Sequence, residues 1–288
     1  MIKKFVIING EIKEEAEGMI SVFDRGYQLG DGVFERIPVY NGRCFGIIPH
    51  MDALLTSMIG IKIPGVYTVE ELVSFHEELI EKTGLVNGEI CVEVTRGDSS
   101  YSVDFPEMVI PNITMTVVDV DRTKIEEEQK NGVNVITVKD DRWQRCDINS
   151  INRLPEVLAK QSARVSRAHE AVFVRENGNI TEATEGNLFL VKDGIIWTHP
   201  ENNFINNRIS RRIVKERIAK ELNIPLVEKE FNLEFALTAQ EVFLAGVHYE
   251  ILPITKIDRA FVADKEVGEI TRKLQMAYKE FIKAECHI

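Results

Sequence analysis

Cysteine and proline are scarce in this 288-residue chain, with four and nine residues, and the 35 lysines and arginines are outnumbered by 46 aspartates and glutamates. The four cysteines, Cys44, Cys91, Cys146 and Cys286, lie far apart and form no CxxC pair. Such spacing supports neither a disulfide framework nor a thiolate zinc site, and no other metal cluster emerges from the sequence. The opening MIKKFVIINGEIK lacks the apolar h-region and cleavage site of a signal peptide, and no later run is long enough to span a bilayer. The expected location is therefore cytoplasmic, with no membrane partner. A formal net charge of −11 argues against nucleic acid or an anionic membrane surface as the main partner. Repeats, low-complexity tracts, phosphate loops and a Ser-His-Asp triad are likewise missing.

What is present is a globular balance, 44% hydrophobic and 28% charged, with enough length for two domains or one large one. Phe5 to Ile8 reads as a strand, and Asn9-Gly10 suits the type I′ turn of a hairpin. Asp24 to Gly32 reads as a polar, glycine-rich loop leading into a strand from Val33 to Tyr40. Met51, Leu54, Leu55 and Met58 share one helical face. Thr68-Val69-Glu70-Glu71 is a capping box that opens a helix running towards Gly84. Ile90 to Thr95 and Met108 to Val120 read as strands. The charged run Asp121 to Gly132 has almost no apolar content and marks a linker. Beyond it, Val133 to Val138, Ala171 to Arg175 and Asn187 to Val191 read as strands, and Asp193-Gly194 makes a hairpin turn. Ile209 to Leu222 and Val267 to Ile282 have helical periodicity. The expectation is a two-domain α/β or α+β protein: residues 1–120 form a smaller N-terminal domain, 121–132 a linker, and 133–288 a larger C-terminal domain.

The stretch Lys139 to Lys160, KDDRWQRCDINSINRLPEVLAK, connects a β-branched strand to a helix opened by Pro155, a usual place for a reactive side chain. With DRGYQ-x-GDGV at 24–33, VTRG at 94–97, KDGI at 192–195, THP-x-NN at 198–203 and TRKLQ at 271–275, it resembles the bacterial D-amino acid transaminases. These are class IV, fold type IV enzymes that use pyridoxal phosphate (PLP). Asn152-Arg153-Leu154 is more similar to a sister branch, the aminodeoxychorismate lyases. The resemblance implies the two-domain fold type IV scaffold and a homodimer with each active site near the interface.

It also implies site residues, and several have changed. Asn149 stands at the position of the Schiff-base lysine, whose two roles need an amine that can be neutral. An asparagine amide is neither nucleophile nor base, and losing general-base assistance alone typically costs about 10²–10⁴-fold. Glu182 matches the carboxylate that faces the pyridine nitrogen. In the phosphate cup, Ile209 and Ser210 are retained, while Ala53 replaces an arginine and Val247 a threonine. Phe34, Tyr101 and Val103 stand where a tyrosine, an arginine and a histidine would trap the substrate carboxylate. Read together, these residues imply a transaminase-like protein that no longer forms the imine, holds no PLP tightly, and binds another small molecule or catalyses a different reaction in the inherited cleft. Two alternatives remain open. One is an active PLP enzyme with a displaced lysine, Lys139 or Lys256, and the other is a non-catalytic partner subunit.

Three further readings come from the residues near these positions. Cys146 reads as a packed thiol, Arg25 as a brace for its loop, and His248 as a structural histidine, the alternative being that it lines a remodelled pocket with Tyr249.

Overall fold

A computed structural model describes residues 4–262 and 265–288. The chain divides into two compact units. The first comprises residues 1–121, 148–152 and 282–288, and the second residues 122–147 and 153–281.

The first unit is built on an antiparallel sheet. Its strands are β1 (Phe5–Ile8), β2 (Glu11–Glu14), β3 (Gly32–Tyr40), β4 (Arg43–Cys44), β5 (Gly88–Thr95) and β6 (Asn112–Asp119), in spatial order β2-β1-β6-β5-β3-β4. Asn9 and Gly10 both take positive φ, 52° and 81°, as the predicted type I′ hairpin requires. The polar loop expected over 24–32 contains a short helix, α1 (Arg25–Leu29), because Asp24 caps it by accepting from the backbone N–H of Gly26 and Tyr27. Helices α2 (Ile47–Gly60) and α3 (Val69–Thr83) follow, and Thr68 and Glu71 complete the predicted capping box. Met51, Leu54 and Met58 of α2 and Leu72 and Leu79 of α3 pack against Ile37, Ile90, Val92 and Met115 of the sheet.

The charged run expected as a linker forms a helix instead, α4 (Arg122–Asn131). Ile125 and Gln129, one turn apart, share its buried face, and the Gln129 amide donates to the Tyr249 carbonyl at 2.9 Å. Residues 148–152 also depart from expectation by belonging to the first unit. They run alongside β3: Phe34 N donates to Asn149 O at 2.8 Å, Ile151 N donates to Gly32 O at 3.1 Å, and Val33 bridges Ser150.

The second unit contains β7 (Val133–Lys139), α5 (Leu154–Val165), β8 (Glu170–Val174), β9 (Ile180–Ala183), β10 (Asn187–Lys192) and β11 (Ile195–Thr198). After them come α6 (Ile209–Arg212), continued by a π-helical turn (Ile213–Ile218) and α7 (Ala219–Glu221), then β12 (Leu226–Glu228) and α8 (Leu233–Ala236). Next are β13 (Glu241–Gly246), β14 (Glu250–Ile257) and β15 (Ala260–Phe261), before the terminal helix α9 (Glu269–Cys286). The sheet order is β12-β11-β10-β13-β14-β7-β8-β9, with β15 against β14. Strand β9 also pairs back to β10 through Glu182 and Asn187, which closes six strands into a ring. Strands β7 and β8 run parallel, so the β-branched run Val133–Val138 needs α5 to cover it. Ala159 and Ala163 of α5 supply that cover, over Ala171 and Phe173. Among the described residues, no helix is long and apolar enough to cross a membrane.

Candidate functional site

In the first unit, Asn149 is held from three sides. Its carbonyl accepts from Phe34 N, and its own N–H donates to Ser57 Oγ of α2 at 3.2 Å. Its side-chain amide donates to Glu35 Oε2 at 3.1 Å. The other oxygen of Glu35 lies 3.2 Å from His50 Nδ1, and both residues are buried. Successive residues of β3 point to opposite faces, so Phe34 and Glu35 leave the strand on different sides. Ala53 follows His50 by one turn of α2 and offers only a half-buried methyl group.

Tyr101 and Val103 lie on an irregular segment and are 72% and 78% exposed. Their segment is pinned by Arg25, which is buried and donates to the carbonyls of Ser102 at 2.6 Å and Asp104 at 3.1 Å. Arg25 also pairs with Asp31 at 2.8 Å. Burial pushes the Asp31 carboxyl up, but hydrogen bonds from Arg96 and Arg25 outweigh it and hold the carboxyl below its ordinary range.

In the second unit, Glu182 occupies the seam where the ring of strands closes. Its carboxylate accepts from Arg142 Nη1 at 2.6 Å, from Asn187 Nδ2 at 3.1 Å and from the backbone N–H of Asn206 at 3.1 and 3.2 Å. Arg208 Nε lies 3.7 Å away. Arg142 also grips Asp140 through two bonds, 2.9 and 3.0 Å. Burial opposes its charge, but Glu182 and Asp140 outweigh that penalty and raise its pKa above the ordinary arginine value. Ile209 and Ser210 open α6, both buried, and Ser210 Oγ accepts from Tyr278 Oη at 3.2 Å. Val247 sits half-buried in the turn between β13 and β14. Cys146 is a packed thiol that donates to the Trp143 carbonyl, and burial pushes its pKa up to about 11.

A cleft of about 800 Å³ opens in the second unit, and its walls include Arg153, Thr184, Glu185 and His248. One side of α5 contributes Val157, Leu158, Lys160 and Arg164. Among the described residues, no three His, Cys, Asp or Glu side chains are placed to hold a metal ion.

The family profile described as Amino-transferase class IV matches residues 32–257. The chain belongs to the class IV aminotransferase family. It is 41% identical over 281 residues to a D-alanine aminotransferase of Staphylococcus epidermidis, covering 97% of this chain and 98% of that one. Its fold matches a branched-chain amino acid aminotransferase of Escherichia coli with a TM-score of 0.91 at 24% identity, covering 98% and 96% of the two chains. A branched-chain aminotransferase of Thermobaculum terrenum, in its PLP form, matches at 0.86 with 22% identity, covering 99% and 95%. The mixed α/β architecture with two sheets is the fold type IV scaffold of this family.

Within this member of the class IV family, Phe34 and Asn149 meet in the first unit, whereas Glu182, Ile209, Ser210 and Val247 belong to the second. Sequence reasoning missed the residues that surround these positions. Glu35 follows Phe34 directly, and a carboxylate inside a β-branched strand was a signal in plain view. Arg142 lies in the quoted Lys139–Lys160 stretch. Arg208, just before Ile209, carried no pattern that sets it apart from other surface cations.

Proposed function

We propose that this D-amino acid aminotransferase-like chain does not carry out imine-based transamination, and that it binds a different small molecule, or acts on one, at the inherited site. The observation that carries this reading is the hydrogen bond from the Asn149 amide to Glu35. An amide committed as a donor to a carboxylate can neither attack a carbonyl nor accept a proton.

The remaining residues do not fit PLP. Glu182 already accepts from Arg142, Asn187 and Asn206 with Arg208 close by, so a pyridinium N–H would have to compete with these donors for the carboxylate. Ala53 provides no guanidinium and Val247 no hydroxyl for a phosphate. Ile209 and Ser210 alone retain a suitable arrangement. The displaced-lysine alternative finds little support. Lys139 is exposed and paired with Asp141 at 2.9 Å, and that hydrogen bond raises its pKa, the opposite of what an imine-forming amine needs. Lys256 stands on an aromatic ring, 5.4 Å from the Phe261 centroid.

The reading includes a homodimer working in the cytoplasm, with Tyr101, Val103 and Phe34 replacing the polar carboxylate trap. Two apolar groups and one phenol would repay the desolvation of a carboxylate poorly. An absorption spectrum of freshly purified protein, followed by borohydride reduction and intact mass, tests the proposal together with an assay on D-alanine and 2-oxoglutarate with added PLP. The expected result is no visible band, no reduced adduct and no turnover. Sustained turnover by the unmodified chain, with host transaminase excluded, would overturn it.

A further inference from the structure

The fold brings Cys44 and Cys286, from opposite ends of the chain, to one place in the first unit. Cys44 ends the short strand β4, half-buried and packed against the core formed by α2, α3 and the sheet. Cys286 is the last residue of α9 and is fully buried. Its thiol donates weakly to the Arg43 carbonyl at 3.9 Å, and that oxygen belongs to the peptide that bears Cys44. A planar peptide holds its oxygen about 2.8 Å from the next Cα. The Cys286 sulfur is therefore within roughly 7 Å of Cys44 Cα, a separation that a small shift of the helix end converts to disulfide geometry.

Neighbours of Cys286 fasten the end of α9 at this place. Ile282, one turn earlier, is buried, and Glu285 Oε1 accepts from Gly46 N at 2.6 Å, two residues beyond Cys44. As the last turn of a terminal helix, the segment can shift at little cost. The surroundings of both thiols disfavour the thiolate. Burial, then Cys286 on α9 and Glu77 on α3, push Cys44 up to about 12. Burial and Glu285 push Cys286 up to about 11, against the opposing charge of Arg43. A disulfide is neutral, so the same surroundings do not oppose a bridge. The other two cysteines face different groups: Cys91 meets Arg36, Glu89 and Glu93, and Cys146 meets Trp143 and Arg175.

We infer that Cys44 and Cys286 form a site of oxidative modification, closing a disulfide by exchange with a small external disulfide such as oxidised glutathione. The half-buried Cys44 is the sulfur within reach of that reagent. Its thiolate attacks one glutathione sulfur, breaks the S–S bond and expels one glutathione thiolate, leaving a mixed disulfide. Cys286 then gives up its proton, attacks the Cys44 sulfur and expels the second glutathione. Two cysteine thiols are oxidised, one glutathione disulfide is reduced to two thiols, and the two protons pass to the departing thiolates. The product fastens the end of α9 to β4 covalently, and a thiol reductant reverses it.

Incubating the reduced full chain with oxidised glutathione at pH 7.5, 8.5 and 9.5, then alkylating and mapping it with trypsin without reductant, tests the pair. The expected product joins residues 44–62 to residues 284–288, the tryptic peptides that carry the two cysteines. Because both thiols stay protonated across this range, its rate of formation should rise roughly tenfold per pH unit. Dithiothreitol should remove it. Cys44→Ser should leave Cys286 unmodified, Cys286→Ser should stop at one glutathione on Cys44, and Cys91→Ser should leave the bridge unchanged. The bridged chain should unfold at a higher urea midpoint than the reduced chain, because the closed loop restricts the unfolded state. The map of the unsubstituted chain decides the matter even where a variant does not fold. Absence of the joined peptides, a bridge that forms only in urea, or a rate independent of pH would each overturn the assignment. So would a bond to another cysteine or between two copies, or an unfolding midpoint no higher than that of the reduced chain.

Discussion

The side-chain amide of Asn149 donates to Glu35 at 3.1 Å, and the same carboxylate lies 3.2 Å from a ring nitrogen of His50. Replacing that donor by an acceptor sets two carboxylates against each other. Asn149→Asp should lower stability at pH 7.5 by about 1–3 kcal/mol, through the lost donor and like-charge repulsion. The deficit should shrink as the pH falls, because one of the two carboxyls then takes up a proton. Urea unfolding of wild type and variant at pH 7.5 and pH 5 measures it, and an unchanged deficit would count against direct contact.

Restoring the amine alone should not restore the cofactor. Asn149→Lys is expected to give weak PLP occupancy, because the phosphate would still lack a guanidinium and a hydroxyl. Charge-assisted hydrogen bonds contribute roughly 1.5–3 kcal/mol each. The combination Asn149→Lys, Ala53→Arg and Val247→Thr should therefore bind PLP far more tightly than the single change. Occupancy is read by borohydride trapping and intact mass. Equal, tight occupancy in the single and combined variants would remove Ala53 and Val247 from any phosphate site.

Arg142 joins two buried carboxylates, Asp140 and Glu182. Arg142→Gln leaves both without their shared cation, and breaking buried pairs in this way costs about 3–5 kcal/mol. The variant should unfold at markedly lower urea concentration than wild type. Arg142→Lys should fall between them, keeping the charge and losing the fork.

His76 gives the chain an acid limb. Its Nδ1–H donates to the Leu72 carbonyl at 2.6 Å, its Nε2 is buried with no hydrogen bond, and burial pushes its pKa down to about 4 from an ordinary 6.5. Between those values the unfolded chain binds a proton that the folded chain refuses. The His76 contribution is thus complete above about pH 6.5 and falls away as the pH drops towards 4, by on the order of 3 kcal/mol. His76→Leu should flatten this part of the curve in unfolding measured from pH 7 to pH 4. His169 and His199 are shifted in the same direction by burial and should leave a residual slope.

The longer helices α2, α3, α5 and α9 and most strands were legible because their signals are local. Thr68 and Glu71 announce α3 within four residues, and Asn9-Gly10 announces the first hairpin. The charged run after Asp121 misled because a helix that buries only Ile125 and Gln129 shows little apolar periodicity. Strand β9 went unread, since its four residues include Thr181 and Glu182 and their burial depends on partners elsewhere in the sheet. The site divided along similar lines. The substitutions Asn149, Ala53 and Val247 can be read from matched motifs. The contacts of Glu35, Arg142 and Arg208 arise only once distant segments fold together.

The ring of strands in the second unit closes through one residue pair, Glu182 with Asn187. A side chain at such a joint serves the architecture whether or not any reaction takes place beside it. Glu182 fastens three stretches of chain at once, through Arg142, Asn187 and Asn206. Replacing it would loosen the barrel before it altered any chemistry. A lineage can therefore relinquish an activity and still keep this acid, so its persistence is a record of how the wall is joined and no testimony about a cofactor.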